Sequence, residues 1–308
     1  MRRHRSVTVD VAQACSPIRA GYCFPDPLSC RATVSAIRSI LLHLDATPGS
    51  AARLAVAEAL AARHGARVTA LFGVRSDGVR ASYAYSASAA LGEAADPQAI
   101  EHDFERSRLR GLCDQNGAGF TWCEIFGDTV RHGFLAETAY VDLLILGQQT
   151  KADETSGAPA GFVESVILES GVPALVIPCS HGRETIGQRM LLAWDGSPPS
   201  ARAMRAALPF MAHAAEVHVA TWAAHVPTAP YSGVDASAWL NRHGIASQVH
   251  QRGPTHHLAN ELASMVARLD ADLVVMGCYG HSRLRERVFG GATRASLASL
   301  PVPVLMAH

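Results

Sequence analysis

The chain repeats itself, and that constrains its fold more than any other feature. An apolar run, Val141-Asp142-Leu143-Leu144-Ile145-Leu146-Gly147, leads through a loop into a helical stretch, Ala160 to Glu169, and a second apolar run, Pro173 to Ile177. The same succession returns at Ala271-Asp272-Leu273-Val274-Val275-Met276-Gly277, then Ala292 to Ser299, then Val302 to Met306. The two endings align without a gap, placing Gly147 on Gly277, Gly161 on Gly291 and Val172-Pro173 on Val302-Pro303. Upstream, Met190-Leu191-Leu192-Ala193-Trp194-Asp195 repeats a strand-like run from Ile37 to Leu44 that also ends in an aspartate, Asp45. Self-similarity of this kind is the signature of a duplicated structural unit.

Short apolar runs alternating with helical periodicity read as buried parallel strands joined by right-handed crossovers. The expected architecture is α/β: two tandem doubly wound parallel-sheet domains of five strands each. Domain 1 is expected over residues 36–180 and domain 2 over 188–308, behind a leader at 1–35 that lacks periodicity. That leader reads as disordered or as lying upstream of the true start. Its basic Met1-Arg2-Arg3-His4-Arg5 has no apolar h-region behind it, which argues against a signal peptide. In domain 1, helices are expected over Pro48–His64, Pro97–Gly117 and Thr129–Thr138, with strands at Arg67–Phe72 and Gly119–Phe126. In domain 2, Ser197 is placed to cap a helix that Pro209 bends or ends before His213. Strands follow at Glu216–Trp222 and Ile245–His250, and an amphipathic helix carries Leu258, Leu262, Met265, Val266 and Leu269 on one face.

Composition narrows the function. Basic and acidic residues balance at 27 each, which lacks the electrostatic footprint of a nucleic-acid binder. No apolar run approaches the roughly 20 residues that span a bilayer, so no membrane partner is expected. Seven cysteines, none in a CxxC pair, point away from zinc and toward reduced thiols in a cytoplasm.

Ligands of such sheets sit beyond the carboxyl ends of the strands, at a topological switch point. There the second repeat runs Gly277-Cys278-Tyr279-Gly280 and, further on, Gly290-Gly291-Ala292-Thr293. Glycines at a strand end and again at a helix start leave backbone N–H groups open to a phosphate, although lone glycines there are ordinary turn residues. The first repeat has Thr150 where the second has Gly280, Ala160 for Gly290 and Val163 for Thr293. Asp45 and Asp195, each at a strand end, suit a structural or ribose-binding role. Met276 and Trp222 are either core or the walls of an adenine pocket. His256, His257 and His281 lack a carboxylate at ligand spacing, so no metal is expected. With no Walker A sequence, no GxSxG elbow and no paired acid and base, no enzyme is expected either.

The spacing Gly-x2-Gly-x9-Gly resembles the nucleotide loop of the universal stress protein family, whose fold is of the adenine-nucleotide α-hydrolase type. The resemblance covers about residues 36–308. It departs where Gly291 stands in place of a Ser or Thr that would contact phosphate. The resemblance implies a cytoplasmic stress-response regulator with ATP or a related adenine nucleotide in the second domain. Ala193 and Asp195 would then lie near the adenosine and Met276 by the adenine. Gly277 and Gly280 would face ribose and phosphates, and Gly290 and Gly291 would offer N–H groups to the phosphates. It also implies intrachain pairing of the two domains through Pro173–Ile177 and Val302–Met306, with a homodimer as a further option and an unidentified protein partner downstream. The alternative is a nucleotide-free scaffold acting by protein association.

Overall fold

A computed structural model describes residues 37–74, 97–126, 130–148, 158, 161–182, 185–222, 235–253, 255, 257–278 and 299–308. The leader, the far part of the glycine loop with Gly280, Gly290 and Gly291, and the positions of Thr150 and Ala160 lie outside these residues. The strands are β1 (Ser39–Leu44), β2 (Arg67–Val74), β3 (Phe120–Phe126), β4 (Leu143–Gly147) and β5 (Ala174–Ile177) in the first half. The second half supplies β6 (Arg189–Trp194), β7 (Glu216–Trp222), β8 (Gln248–Arg252), β9 (Leu273–Gly277) and β10 (Val304–Ala307). The helices are α1 (Gly49–His64), α2 (Pro97–Gln115), α3 (Val130–Glu137), α4 (Phe162–Ser170), α5 (Pro198–Ala206), α6 (Leu208–Met211), α7 (Ala236–Arg242) and α8 (Leu258–Leu269).

All ten strands form one sheet in the order β3-β2-β1-β4-β5-β10-β9-β6-β7-β8. Each half is an all-parallel set of five with the switch beside its first strand, since β1 lies between β2 and β4, and β6 between β7 and β9. The halves join at one antiparallel step, β5 against β10, with Val304 opposite Val176 and Met306 opposite Ala174. The strands expected to pair therefore do, and two apolar edges that would otherwise be open to aggregation are covered. Among the described residues, no helix is long and apolar enough to cross a membrane.

The alternation of β-strand side chains divides the core between the two faces. Leu42, Leu192, Val275 and Leu305 belong to one buried cluster, with α1, α5 and α7. Leu41, Leu191, Val274 and Met306 belong to the other, with α3, α4 and α8. Each strand buried on both faces explains the unbroken apolar runs of the sequence.

One local expectation holds and one shifts. The helix ending near His213 is split into α5 and α6 at Ala207, two residues before Pro209, whose missing N–H cannot join the ladder. The strand expected at Ile245–His250 begins only at Gln248. Ile245 donates its N–H to Leu240 O (3.1 Å) and packs in the core, closing α7 behind the left-handed Gly244.

Candidate functional site

The carboxyl ends of β1 and β4, and of β6 and β9, stand at two matching topological switch points, where α/β sheets open a crevice, and a similar device ties the opposite ends of each strand pair. At the start of β4, Asp142 accepts the N–H groups of Arg38 (2.8 Å) and Ser39 (3.0 Å). Asp272, at the start of β9, accepts those of Gly187, Gln188 and Arg189 (2.9–3.1 Å). Beyond the other end, Gln148 N–H donates to Ile177 O (2.8 Å) and Cys278 N–H to Ala307 O (3.0 Å).

In the second half, Ser197 is the N-cap of α5, accepting from Ser200 N–H, with Pro198 in the first turn. Asp195 Oδ1 accepts Ser197 N–H at 2.9 Å, which orients a half-buried carboxylate at the end of β6. Ala193 and Met276 are cross-strand partners. Both are buried in the cluster that also holds Trp222, whose Nε1 is buried without a hydrogen-bond partner. Met276 and Trp222 thus sit in the core, with Trp222 at the end of β7 keeping one polar atom unpaired. The thiol of Cys278, directly after Gly277, is buried rather than exposed.

Gly277 has a packing role of its own. It ends β9 and is not among the described glycines of positive φ. A Cβ there would lie 2.3 Å from Ser200 N and 2.6 Å from Pro199 C, so the start of α5 rests directly on it. The missing side chain admits a helix.

The first half places other chemistry on the same frame. Matching β1 to β6 sets His43 on Ala193, Asp45 on Asp195, Thr47 on Ser197, Ser50 on Ser200 and Arg53 on Ala203. Arg53 Nη2 lies 2.6 Å from Asp45 Oδ1 and 2.6 Å from Ser50 Oγ. The same carboxylate oxygen accepts the N–H and hydroxyl of Thr47. Burial pushes the Asp45 carboxyl up, but Arg53, then His43 and the hydrogen bonds from Thr47 and Arg53, outweigh it and hold it well below the usual carboxylate range. His43 packs against the rings of Phe162 and Phe134, centroids 4.6 and 5.7 Å away, with Nε2 buried and unpartnered. Its burial, reinforced by Arg53 and only partly opposed by Asp45, pushes the imidazole down to about 4. A Cβ on Gly147 would fall 2.0 Å from Arg53 Nη1, so here the glycine admits a guanidinium.

Along Pro48–His64 the residue pattern puts Leu54, Leu60 and Ala61 on the apolar side and does not single out Arg53. Its signal was the repeat itself: a cation in one copy where the other has alanine. Among the described residues no group of three or more His, Cys, Asp or Glu is placed to hold a metal ion.

Comparison with known proteins fits this frame. Residues 187–308 match the model of the universal stress protein family. A universal stress protein from Archaeoglobus fulgidus superposes with a TM-score of 0.61 at 18% identity, over 87% of this chain and 95% of its own. A functionally unknown protein from Pseudomonas aeruginosa gives 0.57 at 16% identity, over 88% and 92%. A further P. aeruginosa protein, assigned to the universal stress family, gives 0.54 at 18%, over 88% and 92%. At such identities the likeness shows the fold, and it extends across both halves. No curated protein matches the chain. Residues 187–308 thus match the universal stress protein family, within a chain whose two halves share one fold.

Proposed function

We propose that the protein is a stress-response regulator of the cytoplasm that binds ATP or a related adenine nucleotide in its second half and does no catalysis. The observation that carries this reading is the family match over residues 187–308, which spans the whole Gly-x2-Gly-x9-Gly loop. The site suits a nucleoside on one further ground: Asp195 is partly exposed at a strand end, with Oδ1 tied to the backbone of Ser197. Asp195 would take ribose hydroxyls, and Gly280, Gly290 and Gly291 would offer N–H groups to phosphates. A bound nucleotide would then favour one conformation or assembly by linkage.

Calorimetry of the full chain with ATP tests this, with a stoichiometry near one expected. Gly280→Thr with Gly290→Ala copies the first loop into the second. Each weakened phosphate contact costs about 1.5–3 kcal/mol, so affinity should fall about 100-fold or more. A second reading, a nucleotide-free scaffold working by protein association, is favoured by Gly291 in the hydroxyl position and by Gly277 serving helix packing. No ATP binding by the wild type would decide for it.

A further inference from the structure

We propose that Arg53 is a resident occupant of the first half's crevice, a guanidinium held where a ligand would otherwise enter, so that nucleotide binds the second half alone. The exclusion of nucleotide rests on the reading above; the occupancy stands on its own geometry. Arg53 is 3% exposed although arginine is among the residues least often buried. Its Nη2 is held by Asp45 and Ser50, and its Nη1 and Cζ fill the space that Gly147 leaves open, 2.0 and 2.9 Å from where a Cβ would stand. The void that remains beside His43, Asp45, Thr47 and Phe162 is about 10 Å3, room for about one water molecule. Pockets for ligands of nucleotide size run to roughly 300–1,000 Å3. A nucleotide entering here would have to expel a buried ion pair, and Asp45 already cancels the charge that would attract a triphosphate. In the second half the plug is gone: Ala193 and Ala203 stand in place of His43 and Arg53, while Asp195 remains.

Chemical rescue of the full-length protein tests the occupancy. Arg53→Gly should melt several degrees below wild type. Millimolar methylguanidinium should restore much of that loss, whereas sodium chloride at equal ionic strength should not, and wild type should respond to neither. Equal responses to the two salts would overturn the proposal. Should Arg53→Gly not fold, Gly147→Ala reports the same contact: it should melt below wild type, and an unchanged melting temperature would overturn it. Calorimetry with ATP on wild type tests the exclusion. One site per chain supports it, and two equal sites overturn it. Absence of any binding would sink the nucleotide reading and leave the rescue to decide the occupancy.

Discussion

The two halves of the sheet place a helix start against a strand that ends in glycine, and they fill the space between differently. In the second half the backbone of α5 sits on Gly277, with nothing between helix and strand. In the first, a guanidinium lies between α1 and Gly147 and is neutralised by an aspartate that both copies retain. Duplication preserved the frame: the aspartate clamps at Asp142 and Asp272, the strand order and the bonds beyond Gly147 and Gly277. What diverged is what occupies the crevice. A half can thus keep the fold of a binding domain while its own side chains take up the space that binding would need.

The sharpest way to break this comparison is to remove the guanidinium. Arg53→Ala strips the cation from a buried carboxylate, which typically costs about 3–5 kcal/mol. Ala203 stands at the same place in the second half, so the loss belongs to the Asp45 environment and not to the helix position. Urea denaturation monitored by circular dichroism measures it. A loss below 1 kcal/mol would mean that the pair is dispensable and the halves alike.

Acid should separate the halves next. His43 has its folded pKa lowered from 6.5 to about 4, so the unfolded chain binds the extra proton first. The stability at stake is fully present above pH 6.5 and drains away as pH falls toward 4. At 1.36 kcal/mol per unit it amounts to about 3 kcal/mol. The second half has Ala193 there and so holds no counterpart of His43. His43→Leu should flatten the stability–pH curve between 6.5 and 4 relative to wild type. Parallel curves would remove the claim. Asp45, with its folded pKa depressed, adds a loss only at lower pH, below the ordinary carboxylate range.

How much of this the sequence made legible follows from how far apart the partners are along the chain. Strands and helices were readable because their signal is local: Leu143–Gly147 and Leu273–Gly277 are continuous apolar runs, and Ser197-Pro198 is a helix start written in adjacent residues. The β5–β10 pairing was readable from the resemblance that the repeat carries. The plug was not, because Arg53 meets Asp45 across a helix start and Gly147 across the sheet. A single cation beside Leu54 looks like the solvated edge of an amphipathic helix. The packing role of Gly277 was hidden for the opposite reason. Its strand end has the spacing of a ligand loop, yet only the position of α5 reveals what the absent Cβ makes room for. Ile245 slipped from strand to helix cap because Gly244 takes positive φ, which moves the start of β8 to Gln248.

Alanine at the two matching glycines sharpens the comparison with a smaller effect. Each substitution overpacks a tight contact and should cost about 1–3 kcal/mol. The contacts differ in kind. At Gly147 the obstacle is the far end of a flexible side chain, so combining Gly147→Ala with Arg53→Ala should remove most of the glycine's own cost. At Gly277 the obstacle is the backbone at Pro199 and Ser200, and no side-chain truncation can relieve it. A double-mutant cycle should therefore show strong coupling between residues 53 and 147. Additive costs would mean that Gly147 yields some other way and that the guanidinium is not what fills its space.

The smallest difference lies at the helix starts themselves. Ser197 caps α5 through its hydroxyl, satisfying Ser200 N–H, and removing such a cap costs about 1 kcal/mol. Its counterpart Thr47 gives its hydroxyl to Asp45 instead, and α1 begins without a side-chain cap. Ser197→Ala should consequently lower stability by fraying the first turn of α5, seen as faster amide exchange at Ser200. Thr47→Ala should leave the amides of the first turn of α1 unaffected and act on the carboxylate, raising the folded pKa of Asp45 toward its ordinary value. Native-state hydrogen exchange distinguishes the two. If the amide of Ser50 loses protection in Thr47→Ala as Ser200 does in Ser197→Ala, the hydroxyls serve the same end and the first half has kept its cap after all.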